Sequence, residues 1–101
     1  MNNVWRLNNT TQLAKVLCEI SDVKTMQNFL RDVMTEKEIV EIASRLEAAK
    51  MLSGGEKYEK ITNETKLSSR TVARISEWLK NGCNGYKEAI NLINSHHNLA
   101  S

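Results

Sequence analysis

At 101 residues the chain has room for one domain around one modest core, which argues against a multi-domain enzyme. Hydrophobic residues make up 41% and charged residues 26%, a balance that excludes a wholly disordered chain; with Pro 0, Gly 4 and 5% aromatics, a many-stranded sheet is excluded as well. No apolar run approaches the roughly 20 residues of a membrane-spanning helix, and Met1 to Arg6 lead into no apolar signal segment, so the expected partner is not a membrane and the expected compartment is the cytoplasm. Cys18 and Cys83 stand far apart, offering neither a disulfide framework nor zinc-ligand spacing. Charge is unevenly placed: residues 1–56 carry seven Lys/Arg against eight Asp/Glu, whereas residues 57–101 carry seven against four. A locally basic C-terminal half can supply phosphate contacts, although a few surplus lysines also suit an ordinary solvated surface.

Hydrophobic period is helical nearly everywhere. Leu13, Val16, Leu17 and Ile20 follow the i, i+3, i+4, i+7 template, with Thr10 or Thr11 as N-cap. Met26, Phe29, Leu30 and Val33 repeat it after Ser21-Asp22, which can cap a second helix. Thr35 is followed three residues later by Glu38, a capping box, and Ile39, Ile42, Ala43, Leu46 and Ala49 then mark one face of a helix ending near Leu52, where Ser53-Gly54-Gly55 stops it. A short helix through Tyr58 and Ile61, a break near Lys66, a helix from Ser68 or Ser69 to Lys80, and a last helix from Tyr86 to about Asn94 complete the series. Asn81 to Gly85 is the second loop signal, and residues 96–101 read as a frayed tail.

Residues 58–80 carry the most information. Ile61, Leu67, Val72 and Ile75 have the spacing that lets a short helix and a second helix share a small core across a tight turn, a helix-turn-helix pattern. The second helix then exposes Ser68, Ser69, Arg70, Ala73, Arg74 and Glu77, and turns Val72, Ile75 and Leu79 inward. Ser68 and Ser69, with the free N–H groups of the first turn, suit a phosphate; Arg70 and Arg74 suit guanine edges or phosphate oxygens; small Ala73 permits close approach to a base. Lys66 and Lys80 are expected to hold phosphates at the two ends. Such units usually have glycine where Lys66 stands and a small residue where Thr62 stands. A non-glycine residue at positive φ costs on the order of 1 kcal/mol, which predicts a turn of another shape. The same exposed face also fits a helical module that docks an acidic protein partner, and at this point both readings stand.

The order of Thr35-x-x-Glu38, Arg45-Leu46-Glu47, the Gly54-Gly55 break, the helix-turn-helix and Asn81-Gly82-x-x-Gly85-Tyr86 resembles the tryptophan-repressor family, in its bacterial repressor-related branch, over roughly residues 5 to 93. The resemblance implies an all-α protein of about six helices. In that family the N-terminal helices of two chains, here residues 10–52, interlock into a homodimer. The helix-turn-helix at 57–80 and a C-terminal helix at 86–95 complete a single domain over residues 1–95. It also implies binding to double-stranded DNA at a pseudo-palindrome with half-sites about 34–36 Å apart, and repression by occluding a promoter. The founding member binds tryptophan between two arginines that correspond to Arg45 and Arg74. The glycine and serine that make room for the ligand there correspond to Ile75 and Trp78, so the resemblance implies a pocket plugged from within and no response to tryptophan.

Other residues read more plainly. Arg45 is as well explained as an intrahelical partner of Glu41 as by any effector. Trp5 and Trp78 suit a core or a dimer seam better than a stacking platform, and Tyr58 suits a staple at the entrance to the short helix. Cys18, on an apolar face, suits a buried small hydrophobe, and Cys83 an exposed loop thiol. His96 and His97 are sequence neighbours that face different directions on a helix, which argues against a metal site. No Ser-His-Asp or Cys-His pairing, phosphate-cradling glycine loop or paired carboxylates have usable spacing, so no enzyme and no cofactor are expected.

Overall fold

The computed structural model describes the backbone of residues 3–100 and the side chains of residues 3–96. A 3-10 turn, Val4–Arg6, precedes six α-helices: α1 Asn8–Glu19, α2 Val23–Val33, α3 Glu36–Ser53, α4 Tyr58–Thr65, α5 Ser69–Asn81 and α6 Gly85–Ala100. No strand occurs among the described residues. The chain divides into two compact units, residues 1–39 and 40–101.

In the first unit the local helix signals are satisfied while burial is missing. Asp22 caps α2 by accepting from the Thr25 N–H at 2.8 Å and from its hydroxyl at 2.8 Å. These two donors, the backbone N–H first, lower the Asp22 pKa below the ordinary carboxylate value. At the start of α3 the capping box is reciprocal: Glu38 N–H donates to Thr35 Oγ1 at 3.1 Å, and Thr35 N–H donates to Glu38 Oε1 at 2.9 Å. The expected threonine cap of α1 is corrected. Leu7 holds the N-cap position with no side-chain bond, because the chain arrives through the 3-10 turn and its carbonyls capture the threonine hydroxyls. Thr10 Oγ1 donates to the carbonyls of Val4 and Leu7, and Thr11 Oγ1 to that of Trp5. None of the described residues of this unit is buried. Leu13 and Val16 are exposed, Trp5 is 58% exposed, and Cys18, expected to be buried, is exposed as well.

The second unit holds the core. Ala48, Ala49 and Met51 of α3, Ile61 of α4, Val72 and Ile75 of α5 and Ile90 of α6 are buried, with Leu52, Leu67, Leu79 and Tyr86 packed against them. The apolar face expected along the whole of α3 therefore divides, because Ile42 and Ala43 lie exposed while Ala49 is fully buried. α3 ends as the glycines predict. Gly55 takes φ +84°, Glu56 N–H donates to the Met51 carbonyl at 3.0 Å, and Gly55 N–H donates to that of Leu52 at 3.0 Å, the paired bonds of a Schellman stop.

Between α4 and α5 the turn keeps the glycine-type conformation, which corrects the expectation of another shape. Lys66 itself adopts the left-handed region at φ 64° and ψ 13°, and its N–H donates to the Thr62 carbonyl at 3.0 Å. Buried Thr65 steadies the turn: its hydroxyl donates to the Ile61 carbonyl at 2.7 Å and accepts from Leu67 N–H at 3.3 Å. Packing of Ile61 against Val72 and Ile75 thus outweighs the local cost at one residue. Lys66→Gly is accordingly expected to raise stability by about 1 kcal/mol in urea denaturation.

α6 runs to Ala100, beyond the expected end near residue 94, with no glycine or proline to stop it. The side chain of His97, and Ser101 altogether, lie outside the described residues. No helix is long and apolar enough to cross a membrane among the described residues.

Candidate nucleic-acid interface

α5 is anchored from within and offered outward. Val72 is fully buried and Ile75 nearly so, with Leu79 half-buried a turn later, so the opposite stripe of Arg70, Ala73, Arg74 and Glu77 is left exposed at helical spacing. Ser68 is the N-cap: its Oγ accepts from Thr71 N–H at 3.1 Å and donates its own proton to Thr71 Oγ1 at 3.0 Å. Both hydrogen-bonding roles of that hydroxyl are thus used inside the helix, where it fixes the first turn. The N–H groups of Ser69 and Arg70 precede the first intrahelical bond, Val72 N–H to the Ser68 carbonyl at 3.0 Å, and point out of the helix start where an anion is favoured. Lys66, Ser69 and Lys80 are exposed near the two ends of the same helix. Glu77 is held by its own helix, accepting from Asn81 Nδ2 at 2.6 Å.

Arg74 also faces a small cleft of about 130 Å³, which it lines with Arg45, Thr71, Ile75, Trp78 and Tyr86. The two arginines implied as effector ligands are therefore on one cavity, yet they are not equivalent. Arg45 donates to Glu41 Oε2 at 2.8 Å, the intrahelical pair expected from their spacing, while Arg74 has no ion-pair partner among the described residues. Trp78, expected in the core or at a dimer seam, is outside the core of the single chain at 57% exposed. Thr71 and Tyr86 were not singled out from sequence. Thr71 sits between two singled-out residues, but Tyr86 reaches the cleft from α6 across a loop, and no pattern in a linear sequence signals such a meeting.

The sequence profile of the Trp repressor protein family matches residues 8–94. The chain belongs to the Trp repressor family. This is a family of DNA-binding regulators, not of enzymes. The Bacillus subtilis (strain 168) protein YerC, itself uncharacterized, is 34% identical over 82 residues, covering 81% of this chain and 79% of YerC. Among solved structures, a TrpR-like protein from Eubacterium eligens ATCC 27750 superposes with a TM-score of 0.86 at 29% identity, over 92% of this chain and 96% of that one. A candidate Trp repressor from Staphylococcus aureus shares the fold at a TM-score of 0.83 and 24% identity, over 93% and 95%. Within the Trp repressor fold, α4 and α5 are the helix-turn-helix.

Proposed function

We propose that the protein is a homodimeric, sequence-specific DNA-binding transcription regulator, acting as a repressor, which reads the major groove with the α5 stripe. The observation that carries this reading is the placement of Arg70, Ala73 and Arg74 on the exposed side of a helix whose other side is locked into the core by Val72 and Ile75. Two donors one turn apart with a small residue between them match the edge of a base pair, and the charge excess of residues 57–101 lies on the same side of the sequence as the reader. Dimerisation is supported by the first unit, whose helical segments have no buried residue of their own among the described residues. Two reading helices related by a two-fold axis would meet half-sites about 34–36 Å apart.

Selection of bound sites from a random duplex pool tests the reading, because it reports binding, symmetry and spacing together. Arg70→Ala is expected to lose about 1–3 kcal/mol and to relax preference at particular base pairs, whereas Lys80→Ala weakens all duplexes alike and lowers the salt slope by about one. If neither substitution changes a gel-shift titration, α5 is a protein-docking face instead.

Tryptophan is not the effector in this reading. The cleft between Arg45 and Arg74 is about 130 Å³, well under the roughly 300 Å³ at which small-molecule pockets begin, and Ile75 and Trp78 form its walls. Isothermal titration with tryptophan is expected to give no saturable heat in the micromolar range; such a heat would restore it as ligand.

A further inference from the structure

We propose that the cleft between the ends of α3 and α5 and the start of α6 is a docking site for an acidic peptide segment of a partner protein. One apolar side chain of the segment rests on Leu52 and Leu79, and its carboxylates meet Lys80 and Lys87. The cleft measures about 280 Å³ and is lined by Leu52, Ser53, Ser76, Leu79, Lys80 and Lys87. Helical spacing puts Ser76 and Lys80 on the flank of α5 opposite Trp78, so this cleft shares no residue with the one that holds Arg45 and Arg74.

Three observations select this occupant. The floor is apolar and the rim cationic: Leu52 and Leu79 are half-buried against the core, Lys80 and Lys87 are exposed, and no carboxylate lines the cleft. The rim is also unspent. Among the described residues Lys80 and Lys87 have no ion-pair partner, unlike Lys50 and Lys60, and the hydroxyls of Ser53 and Ser76 take part in no hydrogen bond. Glu77, one turn before Lys80, is held by Asn81 instead. Size then decides between partner classes. The cleft is a little under the roughly 300 Å³ at which small-molecule pockets begin, which suits one anchoring side chain better than a whole ligand. A duplex brings phosphates for the lysines and nothing for the leucines. A segment with an apolar residue between carboxylates answers both.

The site itself stands apart from the DNA-binding reading, and one consequence rests on that reading. Arg70 and Lys80 are about 15 Å apart along α5, so a seated peptide leaves the reading stripe free and takes only the Lys80 phosphate contact. Saturating peptide should therefore weaken duplex binding no more than Lys80→Ala does.

The probe is a fluorescein-labelled peptide with one leucine between two pairs of glutamates; its counterpart carries glutamines in their place. Fluorescence anisotropy with the full chain is expected to show saturable binding of the glutamate peptide, at least about tenfold weaker for the glutamine peptide and about tenfold weaker when serine replaces the leucine. Lys87→Glu turns one rim attraction into a repulsion and should weaken the glutamate peptide about tenfold. Ser76→Phe fills the cleft and should abolish binding; melting and sedimentation report whether it keeps its fold, and Lys87→Glu, at an exposed position, decides the matter if it does not. Absence of saturable binding, equal binding of the two peptides, or binding undiminished in Lys87→Glu overturns the site. So does loss of self-association in Lys87→Glu without peptide binding by the wild type, which makes the cleft a contact between copies. A duplex salt slope that falls in Lys87→Ala, again without peptide binding, overturns it in favour of a phosphate contact. If the wild type binds no duplex, the consequence for DNA fails while anisotropy still decides the site.

Discussion

A Leu13→Asp, Val16→Asp double variant is expected to be monomeric in analytical ultracentrifugation and to lose specific duplex binding. Both side chains are exposed in the single chain, on the apolar stripe of α1 that continues through Leu17 and Ile20. Full burial of a side chain of this size stabilises by about 1.5–3 kcal/mol. A helix that buries no side chain of its stripe fully forgoes much of that gain, and helices of 11 or 12 residues such as α1 and α2 are marginal without packing. α2 carries its own Asp22 cap and both segments have helical apolar periodicity, so the sequence specifies them as helices; what they lack is something to pack on. A second copy offers the same lack in return, which a two-fold interface satisfies. A carboxylate at two such positions replaces the gain with an unpaired buried charge, a change too large for a small interface to absorb. Lys15→Asp, on the same helix but off the stripe, should leave the dimer intact. The wild-type melting temperature should rise over about a hundredfold range of protein concentration, as linkage requires of an obligate dimer. A monomeric wild type with concentration-independent melting would remove the dimer and the paired half-sites with it.

The legible parts of the fold are those written locally. The Asp22 cap, the Thr35–Glu38 box and the Gly54-Gly55 stop each depend on residues within a few positions of one another, and each forms as its spacing predicts. The helix-turn-helix was legible for the same reason, since Ile61, Val72 and Ile75 are close in sequence and meet across one turn. The misread features depend on what lies outside the segment. Lys66 is locally wrong for a left-handed turn, and only the gain from packing two helices holds it there. Thr10 and Thr11 have the chemistry of caps, but the 3-10 turn before them supplies carbonyls at a shorter reach. Apolar periodicity in α1 and α3 marks which residues are to be covered, and it is silent on whether the cover comes from the same chain. Cys18 and Ile42 were misplaced by that ambiguity. In the candidate site, Arg70, Ala73 and Arg74 were visible because helical spacing alone puts them on one face. The meeting of Arg74 with Tyr86 was not, because it depends on how α6 returns after the loop.

Ile61→Ala is expected to be the most damaging single truncation, lowering stability by about 2–5 kcal/mol in denaturant unfolding. Ile61 and Val72 are the largest side chains with no exposure at all, one from each helix of the helix-turn-helix. Removing three carbons from Ile61 leaves a void between α4 and α5 that the short α4, only eight residues, cannot close by shifting without breaking its bond from Lys66 N–H to Thr62. Against a total of about 5–15 kcal/mol for a small domain, a loss of this size takes much of the margin. Ile61→Val, which removes a single methyl, should cost only about 0.5–1.5 kcal/mol. Lys60, the preceding residue, is the contrast: its ion pair with Glu56 at 3.2 Å is solvent-exposed, and Lys60→Ala should cost under about 1 kcal/mol. Duplex affinity should fall in the same order as stability, since Arg70 and Arg74 are aimed by a helix whose seat includes Ile61. If Ile61→Ala lost its margin yet kept full affinity for selected duplexes, the reading stripe would not depend on this core, and α5 would have to be held in place by the DNA itself.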